Sequence, residues 1–290
     1  MTQAAAPSLD DLRRRIDAID DGILDLIHQR TKIVEAIGAA KRATGSAGAF
    51  RPGREAQVMR RLAARHEGRF SLATVVHLWR EIMCEFTRLQ GAFAVAVHAG
   101  ADSQGRWDLA RDHFGGETPM TMHATPVQVI HAVNEGAATV GVLPPPSDEP
   151  EGTWWTGLLG DEPGGPRIIT RLPFASAGNA RGGAAMQAVA IARLPTEPSG
   201  QDRSYVAIDM ADDTSLGTTQ RRLHDAGLPL HGIVAVELPG QGVLHLAEID
   251  DYLADDDQRL AAFRNLAMGR LNGVKVLGAY AVPLAESRPA

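Results

Sequence analysis

LDDLRRRIDAIDDGILDLIHQRTKIVEAIGAAKRAT, residues 9–44, carries one uninterrupted pattern. Leu9, Leu12, Ile16, Ile19, Ile23, Leu26, Arg30, Ile33 and Ile37 step by three and four residues in strict alternation. That is a heptad seam along one face of a helix. Ser8 is placed to cap the helix, and Asp10 and Asp11 suit its positive end. Thr44-Gly45-Ser46, with Gly48, ends it. At 1.5 Å per residue the rod is about 50 Å long. A helix of that length cannot bury its seam alone, so the pattern predicts partner helices and a second copy of the chain.

Outward from the rod, a second helix is expected from Pro52 to about Glu67, because proline tolerates the first helical turn. A third is expected from Leu72 to Gln90, with Val75, Trp79, Ile82, Phe86 and Leu89 on its inner face and Gly91 as its stop. The texture then changes. Phe93 to Val97, Pro119 to His123 and Thr139 to Leu143 read as strands, with helices near Trp107 to His113 and Val127 to Glu135. This βαβαβ rhythm predicts an α/β lobe with parallel strands. Pro144 to Pro150 and Gly178 to Gly183 read as loops, Ala188 to Ala192 as a short strand, and Thr196 to Gln201 as a polar linker. The rest reads strand (Tyr205–Asp209), helix (Leu216–Ala226), strand (Ile233–Glu237), strand (Val243–Ile249), helix (Asp257–Met268), strand (Val274–Tyr280). That order is a ferredoxin-like unit. The expected division is therefore an all-α three-helix domain over 1–91, a short α/β lobe over 92–200 and a ferredoxin-like βαββαβ domain over 201–290.

The bulk numbers narrow the function classes. A net charge of −6 over 290 residues shows no basic surface for nucleic acid. No apolar run approaches the roughly 20 residues of a membrane helix, and Met1 to Ser8 does not read as a signal peptide. The single cysteine, Cys84, excludes an internal disulfide and fits a reducing, cytoplasmic setting. His123 and His131, like His224 and His231, lack the spacing of metal ligands, so no metal site is expected.

Arg30 stands where the heptad asks for an apolar residue. A cation in a helical seam is costly unless compensated. The residues alone leave two readings. Arg30 forms a buried ion pair with a carboxylate of a neighbouring helix, or it faces an anionic ligand between helices. Arg13 and Lys41 flank the same seam, about 42 Å apart along the rod. One small ligand can meet both only if Arg13 comes from an antiparallel second chain. Taken by itself, Arg13 reads as a solvated surface arginine.

Five stretches together resemble the all-helical chorismate mutases. They are Leu12-Arg13-Arg14-Arg15-Ile16-Asp17-Ala18-Ile19-Asp20, Leu26-Ile27-His28-Gln29-Arg30, Ile37-Gly38-Ala39-Ala40-Lys41, Arg51-Pro52-Gly53-Arg54-Glu55, and Gln90 near the end of the third helix. The resemblance implies an intertwined homodimer that needs no cofactor and converts chorismate to prephenate. It implies that Arg13 of the partner subunit and Arg30 hold the two substrate carboxylates. Lys41 and Gln90 would flank the breaking ether bond, Glu55 would bind the ring hydroxyl, and Arg54 would support the pocket. Two positions depart from the family pattern. Phe86 stands where the family often has a small hydroxyl residue, and Arg51 where some members carry an acid.

Beyond Gly91, Val129 to Gly136 followed by Val140 to Pro144 resembles the dehydratase part of bifunctional chorismate mutase–prephenate dehydratases. Tyr205 to Pro283 resembles their regulatory ACT domain. In those enzymes a Thr-Arg-Phe motif supplies the catalytic threonine. Here Thr170-Arg171-Leu172 mimics it too far upstream, and Ala188-Val189-Ala190 stand at the expected place. The lobe is also too short for two full lobes, so dehydratase activity is expected to be absent. For the phenylalanine-binding Glu-Ser-Arg-Pro of the family, the chain has Val236-Glu237-Leu238-Pro239, while Glu286-Ser287-Arg288-Pro289 follows the last strand. Asp213 to Gly217 weakly echoes the ligand loop, which leaves an aromatic amino acid as a candidate effector. Two rival functions stay open: a true bifunctional enzyme, and a non-enzymatic aromatic amino acid sensor on the ACT fold.

Overall fold

The computed structural model describes residues 7–44, 48–160, 162–176, 180–182, 186–211, 214–238 and 242–284. Gly45 and Ser46 of the expected helix stop lie outside these residues. So do Gly178 and Gly183 of the expected loop, Asp213, Pro239 and the Glu286–Pro289 tetrapeptide.

The seam helix, α1, runs Leu9–Thr44. Its start is locked reciprocally: the Asp11 amide donates to Ser8 Oγ at 3.1 Å, and the Ser8 amide donates to the Asp11 carboxylate at 3.3 Å. Asp10 and Asp11 in the first turn and Lys41 and Arg42 in the last complement the helix dipole. Helices α2 (Pro52–Arg65) and α3 (Leu72–Gln90) follow. Within one chain the α1 seam is uncovered: Leu9, Ile16, Ile19, Ile23, Leu26, Ile33 and Ile37 are all between 46% and 71% exposed.

Phe86 of the expected inner face of α3 is buried, but the other expected positions lie one residue off the buried stripe. Val76, Arg80, Met83 and Thr87 are buried, whereas Val75, Trp79 and Ile82 are half-buried and Leu89 is half exposed. One residue is about 100° of rotation, at 3.6 residues per turn. The reason is tertiary. α3 packs against both α2 and the following α/β region, where Cys84 Sγ meets the His113 carbonyl oxygen at 3.4 Å.

The α/β region contains β1 (Val95–His98), α4 (Ser103–Phe114), β2 (Met120–His123), α5 (Pro126–Asn134), β3 (Val140–Leu143), β4 (Arg167–Leu172) and β5 (Ala188–Ala192). The ferredoxin-like unit follows as β6 (Asp202–Met210), α6 (Leu216–Asp225), β7 (Leu230–Leu238), β8 (Gly242–Ile249), α7 (Gln258–Leu266) and β9 (Leu271–Ala281). β1 runs parallel to β2 and β3, as expected. Two elements were not legible in the sequence. β4 carries arginines at Arg167 and Arg171, which break its apolar run. A 3-10 turn at Thr153–Leu158 drives Trp154 and Trp155 into the core.

Among the described residues, the nine strands belong to one sheet, ordered β2-β1-β3-β5-β4-β9-β6-β8-β7. The joint is β4 beside β9, where Ile168 faces Gly278. A Cβ on Gly278 would stand 2.1 Å from the Ile168 carbonyl oxygen, and its φ is +140°. Only glycine lets the two backbones meet there. One apolar core runs across the joint, from Val129 and Trp155 to Tyr205, Leu246 and Tyr280. The N-terminal helices are stapled to this body by Arg60 of α2. Its guanidinium donates to the carbonyl oxygens of Ser199 (3.1 Å), Gln201 (2.8 Å) and Val282 (3.0 Å). Among the described residues, no helix is long and apolar enough to cross a membrane.

Candidate active site

α1 and α3 cross with Arg30 and Gly38 of α1 facing Phe86 and Gln90 of α3. The Arg30 guanidinium lies 4.6 Å from the centre of the Phe86 ring. It is half-buried, and desolvation alone pushes its pKa below the ordinary value. No carboxylate pairs with it among the described residues. The buried-ion-pair reading of Arg30 therefore fails within the chain. A desolvated guanidinium on an aromatic face remains.

Gln90 donates from Nε2 to the Phe86 carbonyl oxygen at 2.9 Å, and its Oε1 is buried with no hydrogen-bond partner among the described residues. Gly38, buried in α1, lies at this crossing. A Cβ there would stand 3.4 Å from the Gln90 side chain. Lys41 follows Gly38 by three residues, so it shares that face of α1. Its Nζ donates to the Gly48 carbonyl oxygen at 3.1 Å, and it lines a cavity of about 220 Å³ with Pro52 and Gly53.

The other three expected residues lie apart from this crossing. Arg13 is exposed and pairs with Asp10 at 3.2 Å, about 26 Å along the rod from Arg30. Arg54 is exposed and donates to Gln57 at 3.3 Å. Glu55 turns inward and forms an ion pair with Arg80 at 2.8 Å, where the side chains are 12% and 5% exposed. Burial pushes the Glu55 pKa up, against the opposing pull of Arg80. Sequence reasoning missed Arg80. Its signal was present: a cation in the same helical stripe as Val76, Met83 and Thr87 needs a buried partner. Phe86, read as plain core, is the ring beneath Arg30. Arg51, one of the two departures, forms a two-pronged ion pair with Glu197 at 3.0 and 2.7 Å, which brings an acid to that position from the linker.

His113, at the end of α4, is buried, and desolvation with help from Arg80 pushes its pKa well below 6.5. The fold therefore keeps the imidazole neutral. As pH falls below 6.5 the unfolded chain takes up a proton that the folded chain refuses, so stability is lost in that direction. His113→Gln is expected to flatten the fall of Tm between about pH 7 and about pH 5, read by thermal melts of both proteins. His98 and His245, also pushed down by burial, leave a residual slope. An unchanged slope would contradict this assignment.

Thr170 and Arg171 have a structural explanation. Thr170 is 5% exposed within β4, in register with Ala190 of β5. Arg171 donates to Tyr280 Oη at 3.1 Å and Gln187 Oε1 at 2.7 Å. Tyr280 in turn donates to Glu248, so the cluster ties β4 to β9 and β8.

Residues 12–91 match the family model for chorismate mutase type II. The bifunctional chorismate mutase/prephenate dehydratase of Pseudomonas aeruginosa is 33% identical over 137 residues, which is 46% of this chain and 37% of that protein. The chain thus spans little more than a third of that relative's length in the alignment. Among solved structures, the quorum-quenching acylase GqqA has a TM-score of 0.49 at 14% identity, covering 68% of this chain and 98% of its own. The prephenate dehydratase of Streptococcus mutans has a TM-score of 0.46 at 12% identity, covering 66% and 98%. By sequence, residues 12–91 are similar to the chorismate mutase type II family, in a chain similar over part of its length to the bifunctional chorismate mutase/prephenate dehydratases.

Proposed function

We propose that the chain is a chorismate mutase that rearranges chorismate to prephenate as a homodimer, and that its remaining α/β region has no dehydratase activity. The observation that carries the mutase reading is Arg30. It is a desolvated cation in the helix seam with an aromatic ring beneath it and, among the described residues, no carboxylate paired with it. Such a charge is stabilised by an anionic ligand, and chorismate is a dianion.

The rearrangement is unimolecular and needs no base or nucleophile. The enzyme must hold a folded conformer and stabilise charge growing on the ether oxygen, and fixed cations and amide donors do both. Arg30 and Arg13 of the partner subunit hold the carboxylates. Lys41 and Gln90 face the ether oxygen. The resemblance also assigns Arg54 and Glu55 to the pocket, Glu55 through the ring hydroxyl; in the single chain Glu55 is turned inward onto Arg80, so that role requires its carboxylate to leave this ion pair. The uncovered α1 seam supports the dimer, because a second rod both buries it and supplies the missing Arg13.

Two features support the loss of dehydratase activity. Thr170 is enclosed in the sheet, and Ala188, Val189 and Ala190 are fully buried. None of these alanine and valine side chains can transfer a proton. The test is direct. The purified full chain should consume chorismate and accumulate prephenate. Fed with prephenate, it should release no phenylpyruvate. Formation of phenylpyruvate at a rate comparable with chorismate consumption would make the chain bifunctional.

A further inference from the structure

Between the mutase helices and the α/β region lies a cavity of about 440 Å³, away from the α1–α3 crossing. Its walls are α3, α4 and the segment after β4. Val76, Leu109 and Phe174 give it a buried apolar floor. Arg80 stands in the wall, 4% exposed, with its guanidinium carbon 5.3 Å from the Phe174 ring centre. An arginine carries five N–H donors. Arg80 spends Nη1 on Glu55 at 2.8 Å, and its Nε is buried with no partner. That Nε is enclosed by protein, so an acceptor in the cavity meets the edge of the guanidinium that Glu55 does not take. Arg111 and His77 at the rim add donors, while Asp112 is the carboxylate there. Arg111 lies 3.8 Å from that carboxylate. A few polar groups over an apolar floor, at this volume, is the usual form of a small-molecule site.

We propose that this interdomain cavity binds a small carboxylate with an apolar, ring-sized tail. The carboxylate meets Arg80 and the tail lies on Val76, Leu109 and Phe174. Because Arg80 also holds Glu55, the ligand draws on the same guanidinium that positions a proposed mutase residue. Occupancy then changes the apparent KM for chorismate; this second part rests on the mutase reading. A free carboxylic acid and an α-amino acid share the required chemistry, and Asp112 near the rim is placed to meet an ammonium group.

The test is calorimetric titration of the intact chain with phenylacetate, with L-phenylalanine and with benzylammonium, which reads binding without any turnover. Phenylacetate or L-phenylalanine is expected to bind, whichever is tighter naming the ligand type, and benzylammonium is not. Ala73→Trp, at an exposed position on the cavity wall, should weaken that binding by about tenfold or more while melting like the parent protein. Arg80→Lys, which keeps the charge but loses the planar donors, should weaken it as well. Absence of binding by both acids, equal binding of benzylammonium, or affinity unchanged in Ala73→Trp would each overturn the site. Binding that leaves the chorismate KM untouched in an active enzyme would overturn the link through Glu55.

Discussion

Lys41→Ala is expected to lower chorismate turnover at least about a hundredfold, the effect of deleting one donor aimed at developing charge. The loss should appear in kcat more than in KM. The ether oxygen gains charge only as its bond breaks, so its donor acts chiefly in the transition state. Folding should survive the change. In the described structure Lys41 makes one hydrogen bond, to the Gly48 carbonyl oxygen at 3.1 Å, at the edge of a cavity. Arg30→Ala should differ: it removes a carboxylate contact and the cation over Phe86, so KM should rise together with the fall in kcat. The measurement is steady-state chorismate consumption by both variants, with circular dichroism as the folding control. Near-normal turnover in Lys41→Ala would sink the proposed site.

Placing carboxylates in the seam, as Ile19→Asp with Ile23→Asp, is expected to abolish both dimer and activity. These isoleucines are 62% and 52% exposed in the single chain. Burying a side chain of this type against a second rod is worth roughly 1.5–3 kcal/mol. Each seam position is used twice in a two-fold dimer, so four such contributions disappear, and four desolvated carboxylates would replace them. Light scattering should give twice the 30.9 kDa chain mass for the parent protein and one chain mass for the variant. The α/β body should stay folded, since its cores lie in other elements. A variant that remains an active dimer would refute the proposed assembly.

The helical elements were legible because their signals are local. Ser8, the three-four spacing and Pro52 mark boundaries that the structure reproduces for α1 and the start of α2. The ferredoxin-like order was legible for the same reason: strand and helix periods alternate cleanly. β4 was not, because its arginines satisfy Asp255 and Tyr280, partners distant in the chain. The rotated face of α3 was not either, since the surface it buries is fixed by α2 and α4 rather than by its own period.

The site divides along the same line. Spacing alone singles out Arg30, a cation at an apolar heptad position; the roles of Lys41 and Gln90 come from the resemblance to the all-helical chorismate mutases and belong to the proposal. Whether a charge is paired is a contact between elements, and only tertiary structure decides it. It set Arg30 over a ring, with no carboxylate paired to it among the described residues, and gave Glu55 to Arg80. It also joined two units into one sheet through Gly278, whose missing side chain matters only because Ile168 lies against it.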